Sequence, residues 1–258
     1  MRRPVAAALL LLALAACSKH VTFSGEAKLK PTAEENYKAG EELLKDGSYA
    51  DAQKFFEYVK TKFPFSKYAA LADLRTADSK FQQGQFAEAA DAYANFVKLH
   101  PSHEEVDYAE YRTGESYFKD APSEFSLFPP AYEKDLRQAH KASDALHAFL
   151  TKHPKSKYAP DAQRLLGQID DRLAMHEWYV GEFYYKRDRW AGAAGRYEAL
   201  ADKYPASRHA PEALLKAAKS WVALGEKYRA RTALQKLIVE HPQDPRRGEA
   251  EKLLASLR

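Results

Sequence analysis

The sequence predicts an all-α fold, a solenoid of about five stacked helical hairpins. Three observations carry that expectation. Pro64, Pro101, Pro154, Pro205 and Pro242 each follow an aromatic residue or a histidine: Phe63, His100, His153, Tyr204 and His241. Alanine recurs at fixed offsets from each proline. Ala52, Ala89, Ala142, Ala193 and Ala230 stand twelve residues before, and Ala72, Ala109, Ala162, Ala213 and Ala250 eight after. A large apolar residue (Phe56, Tyr93, Leu146, Tyr197, Leu234) stands eight before, and a small one (Ala77, Gly114, Gly167, Ala218, Ala255) thirteen after. Columns filled five times over are an internal repeat.

The chain begins differently. Arg2 and Arg3 precede an uninterrupted apolar run from Val5 to Ala15, the layout of a secretory signal. Eleven residues are too few to span a bilayer, which takes about 20. An ordinary signal peptide with an incidental cysteine at the cut would fit these residues. Leu14-Ala15-Ala16-Cys17, however, resembles the bacterial lipobox, which implies lipidation of Cys17 and removal of residues 1–16. Cys17 is the only cysteine in the chain, and acylation would cap a thiol that has no disulfide partner. Several acyl chains give firm anchoring without a span. Ser18 rather than Asp follows, which favours the outer membrane. Residues 17–32 read as a polar tether from lipid to folded body.

Each hairpin follows from packing. Alanine at a helix crossing allows close approach, and the large residue four positions on fills the space beside it on the same face. Proline ends the second helix by breaking the hydrogen-bond ladder. Gly47, Gly84 and Gly225, seventeen residues before their prolines, mark the turns inside hairpins. Thr32 with Glu35 predicts a capping box at the first helix.

Successive prolines lie 37, 53, 51 and 37 residues apart. The excess of 16 falls on 119–138, where Pro122, Pro129 and Pro130 indicate an insertion in the third repeat of the N-terminal part, 33–155. The excess of 14 falls within 158–187, in the C-terminal part, 156–258. Fourteen residues make nearly four helical turns, so one long helix can absorb them without rotating its apolar face.

The segments "GSYADAQKFFEYVKTKFP" and "GQFAEAADAYANFVKLHP" resemble the tetratricopeptide repeat, which implies a superhelical solenoid of tetratricopeptide-like hairpins. Its first helices line the concave side. That register places Tyr37, Leu44, Leu71, Leu74, Phe81, Tyr108, Tyr111 and Phe118 along the groove of repeats one to three; the alternative is that several of them pack between helices. Glu41, Asp78 and Glu115 share one column, either as an acidic row along the groove or as ordinary solvated surface.

Composition excludes some functions. Charged residues make up 29% of the chain, and the net charge of +4 includes Arg2 and Arg3, so the processed chain is nearly neutral and no nucleic-acid partner is expected. The column of His100, His153 and His241 reads as wedges beside the prolines. No metal-ligand spacing, phosphate loop or nucleophile–base pair is visible. The expectation is a non-enzymatic protein with no metal and no cofactor.

The lipobox, the repeats, the insertion, "VDYAEYRTGESYF" (106–118) and "DRLAMHEWYVGEFYYKRDRW" (171–190) together resemble the outer-membrane assembly lipoproteins of the BamD/ComL family. The resemblance implies a subunit of the machinery that inserts β-barrel proteins into the outer membrane, lipid-anchored at its periplasmic face. It implies partners: the β-barrel insertase, other assembly lipoproteins and unfolded outer-membrane proteins. The N-terminal repeats would receive the unfolded substrate in the groove named above, and the C-terminal repeats would dock on the insertase. Trp178, Tyr185, Arg187, Arg189 and Trp190 are the docking candidates, since tryptophan and arginine are enriched at binding hot spots. Trp190 shares a column with Tyr49 and Phe86, so part of it belongs to the core. The rival is another periplasmic repeat lipoprotein that organises envelope or peptidoglycan assembly.

Overall fold

The computed structural model describes residues 28–122, 132 and 134–257. Cys17, the signal segment and most of the tether lie outside the described residues. Ten helices form five hairpins: α1 (Ala33–Lys45) with α2 (Tyr49–Lys62), α3 (Lys67–Gln82) with α4 (Phe86–Leu99), α5 (Val106–Asp120) with α6 (Arg137–Lys152), α7 (Ala159–Tyr185) with α8 (Trp190–Lys203), and α9 (Ala210–Ala223) with α10 (Lys227–Glu240). A last helix, α11 (Arg247–Ser256), packs against α10. The fold is an all-helical solenoid of tetratricopeptide-like hairpins.

The repeat columns have a physical basis here. All ten alanines of the columns twelve before and eight after the prolines are fully buried, as are Phe56, Tyr93, Leu146, Tyr197 and Leu234. Alanine at these crossings keeps the helix axes close, and the larger neighbour fills the volume that alanine leaves. The core is therefore a chain of clusters along the stack. Tyr37, Phe56 and Val59 belong to one, and Leu74, Tyr93 and Phe96 to the next. Residues just before each proline cap the second helices with nearly the same backbone, φ between −130° and −125°.

Local signals set the element ends. At α1 the Thr32 hydroxyl accepts from the Glu35 N–H at 3.2 Å and Glu35 accepts from the Thr32 N–H at 3.3 Å. Gly47, Gly84 and Gly225 have φ of 78°, 75° and 78°, the left-handed region that glycine enters without a Cβ penalty. In the fourth hairpin the same turn position is Asp188, with φ 55°, since Asp tolerates this region better than most residues.

Helix α7 runs unbroken for 27 residues and serves two neighbours. Its first half packs against α6, where Leu146 and Phe149 share a cluster with Ala162 and Leu165, and Ser143 donates to Asp170 at 2.8 Å. Its second half packs against α8, with Trp178 5.5 Å from Tyr197. This corrects one column of the sequence reading. Gly167, counted forward from Pro154, is exposed and a Cβ there would meet nothing. Gly181, counted back from Pro205, is buried and a Cβ there would come within 2.6 Å of the Tyr197 ring. The extra turns of α7 also hold both described ends of the inserted segment. Arg172 donates to the Pro122 carbonyl, and His176 Nδ1 bonds the Tyr132 carbonyl. The two excesses in repeat length thus meet in space.

Candidate functional site

Along the first helices of hairpins one to three, two charged columns alternate. Glu41, Asp78 and Glu115 form the acidic one; Arg75 and Arg112, three residues earlier on their helices, interleave with it. Arg75 pairs with Asp78 at 2.8 Å on its own helix and with Glu41 of the preceding hairpin at 3.5 Å. Arg112 pairs with Glu115 at 2.7 Å and lies 3.6 Å above the centre of the Phe81 ring. Asp78 is the hub. Its Oδ1 accepts from Tyr93 at 2.6 Å and from Tyr108 at 2.7 Å, while Tyr93 in turn accepts from Arg112 Nε at 3.2 Å. Tyr37 donates to Glu41 at 2.9 Å. Beside this ladder lies a recess of about 400 Å³ whose wall includes Leu44, Lys45, Gln82 and Tyr108.

Burial acts on the phenols first and the neighbouring carboxylates add to it. Together they push Tyr37 and Tyr111 up to about 12, the opposing pull of Arg75 and Arg112 notwithstanding. Burial alone would disfavour the charge on Arg75, but Asp78 and Tyr37 outweigh it and raise the guanidinium above its ordinary value. These phenols remain neutral donors and the arginines remain cations at neutral pH.

The groove candidates divide by column. Tyr37, Leu74 and Tyr111 are buried between helices, Leu74 completely. Tyr111 stacks on Tyr158, ring centres 5.2 Å apart and planes 5° from parallel. Leu44, Leu71, Phe81, Tyr108 and Phe118 are half-buried, and of these Leu44 and Tyr108 line the recess. The first helices thus carry a ladder of paired charges edged by rings, neither a bare acidic row nor ordinary solvated surface. Tyr93 stands in the core column, yet its hydroxyl reaches the acidic row.

The fourth hairpin repeats the pattern. Tyr197 donates to Glu182 at 2.6 Å, and Lys216 bonds the same carboxylate. From acid to tyrosine is 15 residues and from acid to the next hairpin's cation 34, for Asp78–Tyr93–Arg112 and Glu182–Tyr197–Lys216 alike. Those two spacings are the sequence signal of the hub. Trp178 and Tyr185 belong to this hub. Lys216 lies 4.9 Å from the Trp178 ring centre and 5.1 Å from that of Tyr185. Trp178 also stacks on His209 at 4.9 Å, and Tyr185 meets Trp190 edge-on at 5.1 Å. All three rings are half-buried, whereas Arg187 and Arg189 are exposed. No helix among the described residues is long and apolar enough to cross a membrane.

Known proteins share this sequence over most of its length. The chain is 27% identical over 238 residues to the outer membrane protein assembly factor BamD of Neisseria meningitidis serogroup A, covering 91% of this chain and 89% of that one. It is 27% identical to the BamD of Caulobacter vibrioides, covering 86% and 70%. It is 29% identical to that of Rickettsia prowazekii, covering 73% and 72%. The sequence model of the YfiO family matches residues 30–237, from just before the capped start of α1 to the last turn of α10, and the chain therefore belongs to this family of outer membrane lipoproteins.

Proposed function

We propose that this chain is a non-enzymatic subunit of the machinery that assembles β-barrel proteins in the outer membrane. Cys17 carries the lipid that anchors it on the periplasmic face. The N-terminal hairpins receive unfolded barrel proteins, and the C-terminal hairpins dock on the barrel-shaped insertase, beside other assembly lipoproteins. The observation that carries the reading is the family match over residues 30–237, together with relatives named as assembly factors across most of their length. The concave recess supports the receptor role. Its ring edges offer apolar contact, and its neutral phenols and paired charges offer hydrogen bonds to an extended chain.

Affinity purification of the tagged full chain from detergent-solubilised envelopes tests this reading. The expected result is co-purification of the insertase, lost when α7 to α10 are disrupted and kept when the recess is altered. Recovery of peptidoglycan-organising proteins without the insertase would overturn it. Mass spectrometry of the mature protein should find Cys17 acylated, and Cys17→Ser should leave the precursor unprocessed. An unmodified Cys17 in the mature envelope protein would refute the anchor.

A further inference from the structure

The side of a first helix that faces the preceding hairpin is normally covered. Twenty-two residues before the closing proline, or the matching position when the insertion is counted out, stand Ser79 on α3, Ser116 on α5 and Ser220 on α9. All three are fully buried. Ser79 shows what does the covering: its hydroxyl meets Gln53 at 3.2 Å and the Tyr49 carbonyl at 3.5 Å, both on α2. At the same position α7 has Phe183, which is 45% exposed, with Tyr179 one turn earlier at 41%.

The cause is the length of α7. The first turn of α6 and its cap Leu136 belong to the core that also holds Ile169, Leu173 and Ala174. Residues 177–185 continue α7 for about 13 Å more. The Tyr132 ring lies 5.4 Å from that of Tyr179, which stays exposed all the same. Trp178 and Tyr185 point the other way, toward Lys216 of the following hairpin. Beyond Phe183 come Lys186, Arg187 and Arg189, all exposed. Arg187 lies 3.7 Å above the Phe183 ring and donates to its carbonyl at 3.0 Å. None of the three cations is ion-paired with a carboxylate among the described residues, Asp188 included.

We propose that this uncovered side of α7 docks an amphipathic helix of a partner protein, lying where the preceding second helix lies in other hairpins. That position fixes its direction. The first turn of α2 meets the last turn of α3, so the partner helix starts beside Lys186, Arg187 and Arg189. The positive end of its dipole then faces three cations, which requires acidic residues in its first turn. Two of the chain's own five second helices show the same chemistry, with Asp51 in the first turn of α2 and Glu88 in that of α4, while α6, α8 and α10 have no acid there. An apolar stripe at helical spacing would cover Tyr179 and Phe183. This surface shares Arg187 and Arg189 with the insertase-docking candidates, but its rings, Tyr179 and Phe183, are separate from Trp178 and Tyr185, which face Lys216, so a crosslink from Phe183 reports on it separately.

A photoreactive residue at Phe183 of the full lipid-anchored chain, expressed in its own envelope, tests this. The expected product is a crosslink to another protein at a segment with apolar residues every three to four positions and Asp or Glu in its first turn. Reversing the charges with Lys186→Glu, Arg187→Glu and Arg189→Glu together should cut that yield at least tenfold. Crosslinks to residues 123–131 of the same chain, to a second copy, to lipid or to nothing overturn the proposal, as does a yield indifferent to the charge reversal. Phe183→Ser, which installs the residue of the second, third and fifth hairpins, should leave the melting temperature unchanged. A marked drop would place the ring in the chain's own packing and sink the idea.

Discussion

Asp78 on α3 accepts the phenol of Tyr108 on α5 at 2.7 Å, so neighbouring hairpins are joined through one carboxylate. The same oxygen holds Tyr93, and the other holds Arg75. Repeats of this kind touch only their neighbours, which makes such a shared group a fixed point for groove shape as well as stability.

Asp78→Ala should be costly. It leaves two phenols without their acceptor and Arg75 without its closest carboxylate. Breaking a largely buried charge pair costs about 3–5 kcal/mol, and that is the loss expected in urea denaturation. Asp78→Asn should cost less, because the amide oxygen still accepts from both tyrosines. Equal losses for the two variants would show that charge, not acceptor geometry, is what matters there.

The matching hub at Glu182 gives a pH dependence. Burial works against ionisation of this carboxyl, but donors on Lys216 and Tyr197 outweigh it and hold it below its ordinary value of 4.5. A carboxyl lowered in the folded state stabilises fully above its unfolded pKa, and that contribution is lost as pH falls through the folded one. The stability gap between the parent chain and Glu182→Gln should thus be constant above about pH 5.5 and shrink below about pH 4.5. A gap unchanged down to about pH 3 would contradict the assignment.

Much of this fold was legible because its signals are local and repeated. Alanine at a crossing, proline after an aromatic and glycine in a left-handed turn each have one physical reason, stated five times or nearly so. What stayed hidden depends on direction. Residue type does not tell whether a ring points between helices, as Tyr111 does, or borders the recess, as Tyr108 does. The lengthened α7 hid its own register, since fourteen residues return the apolar face almost to its starting angle. Gly167 therefore looked like the packed glycine that Gly181 is. The acidic column is plain in the sequence, whereas the arginines that neutralise it show only once helix geometry sets Arg75 beside Asp78 and Arg112 beside Glu115.

That register can be checked by adding one methyl group. Gly181→Ala would bring Cβ within 2.6 Å of the Tyr197 ring, and Gly114→Ala within 2.7 Å of Leu146. Overpacking costs about 1–3 kcal/mol, while alanine regains up to about 1 kcal/mol of helix propensity over glycine. Each variant should lose about 0–2 kcal/mol in thermal or urea unfolding. Gly167→Ala has open space before it and should gain up to about 1 kcal/mol. A stabilising Gly181→Ala beside a destabilising Gly167→Ala would reverse the register described here.

The substrate reading needs variants that separate groove from core. Tyr111→Ala cannot do so, because this ring is buried on Tyr158 and its loss should cost about 3–5 kcal/mol. Peptide binding lost along with the fold would say nothing about recognition. Tyr108→Phe and Phe81→Leu are the informative changes. The first removes a hydroxyl bonded to a carboxylate that keeps two other partners, and the second trims a half-buried ring beneath Arg112 while keeping an apolar side chain. Each should cost no more than about 1–2 kcal/mol of stability. With a peptide ending in an aromatic barrel-type signal, fluorescence anisotropy should show binding weakened several-fold by each. Capture of the insertase should be unaffected, since that contact is assigned to the other end of the solenoid. If both variants fold and bind the peptide like the parent chain, the recess of hairpins one to three is not where substrate is received.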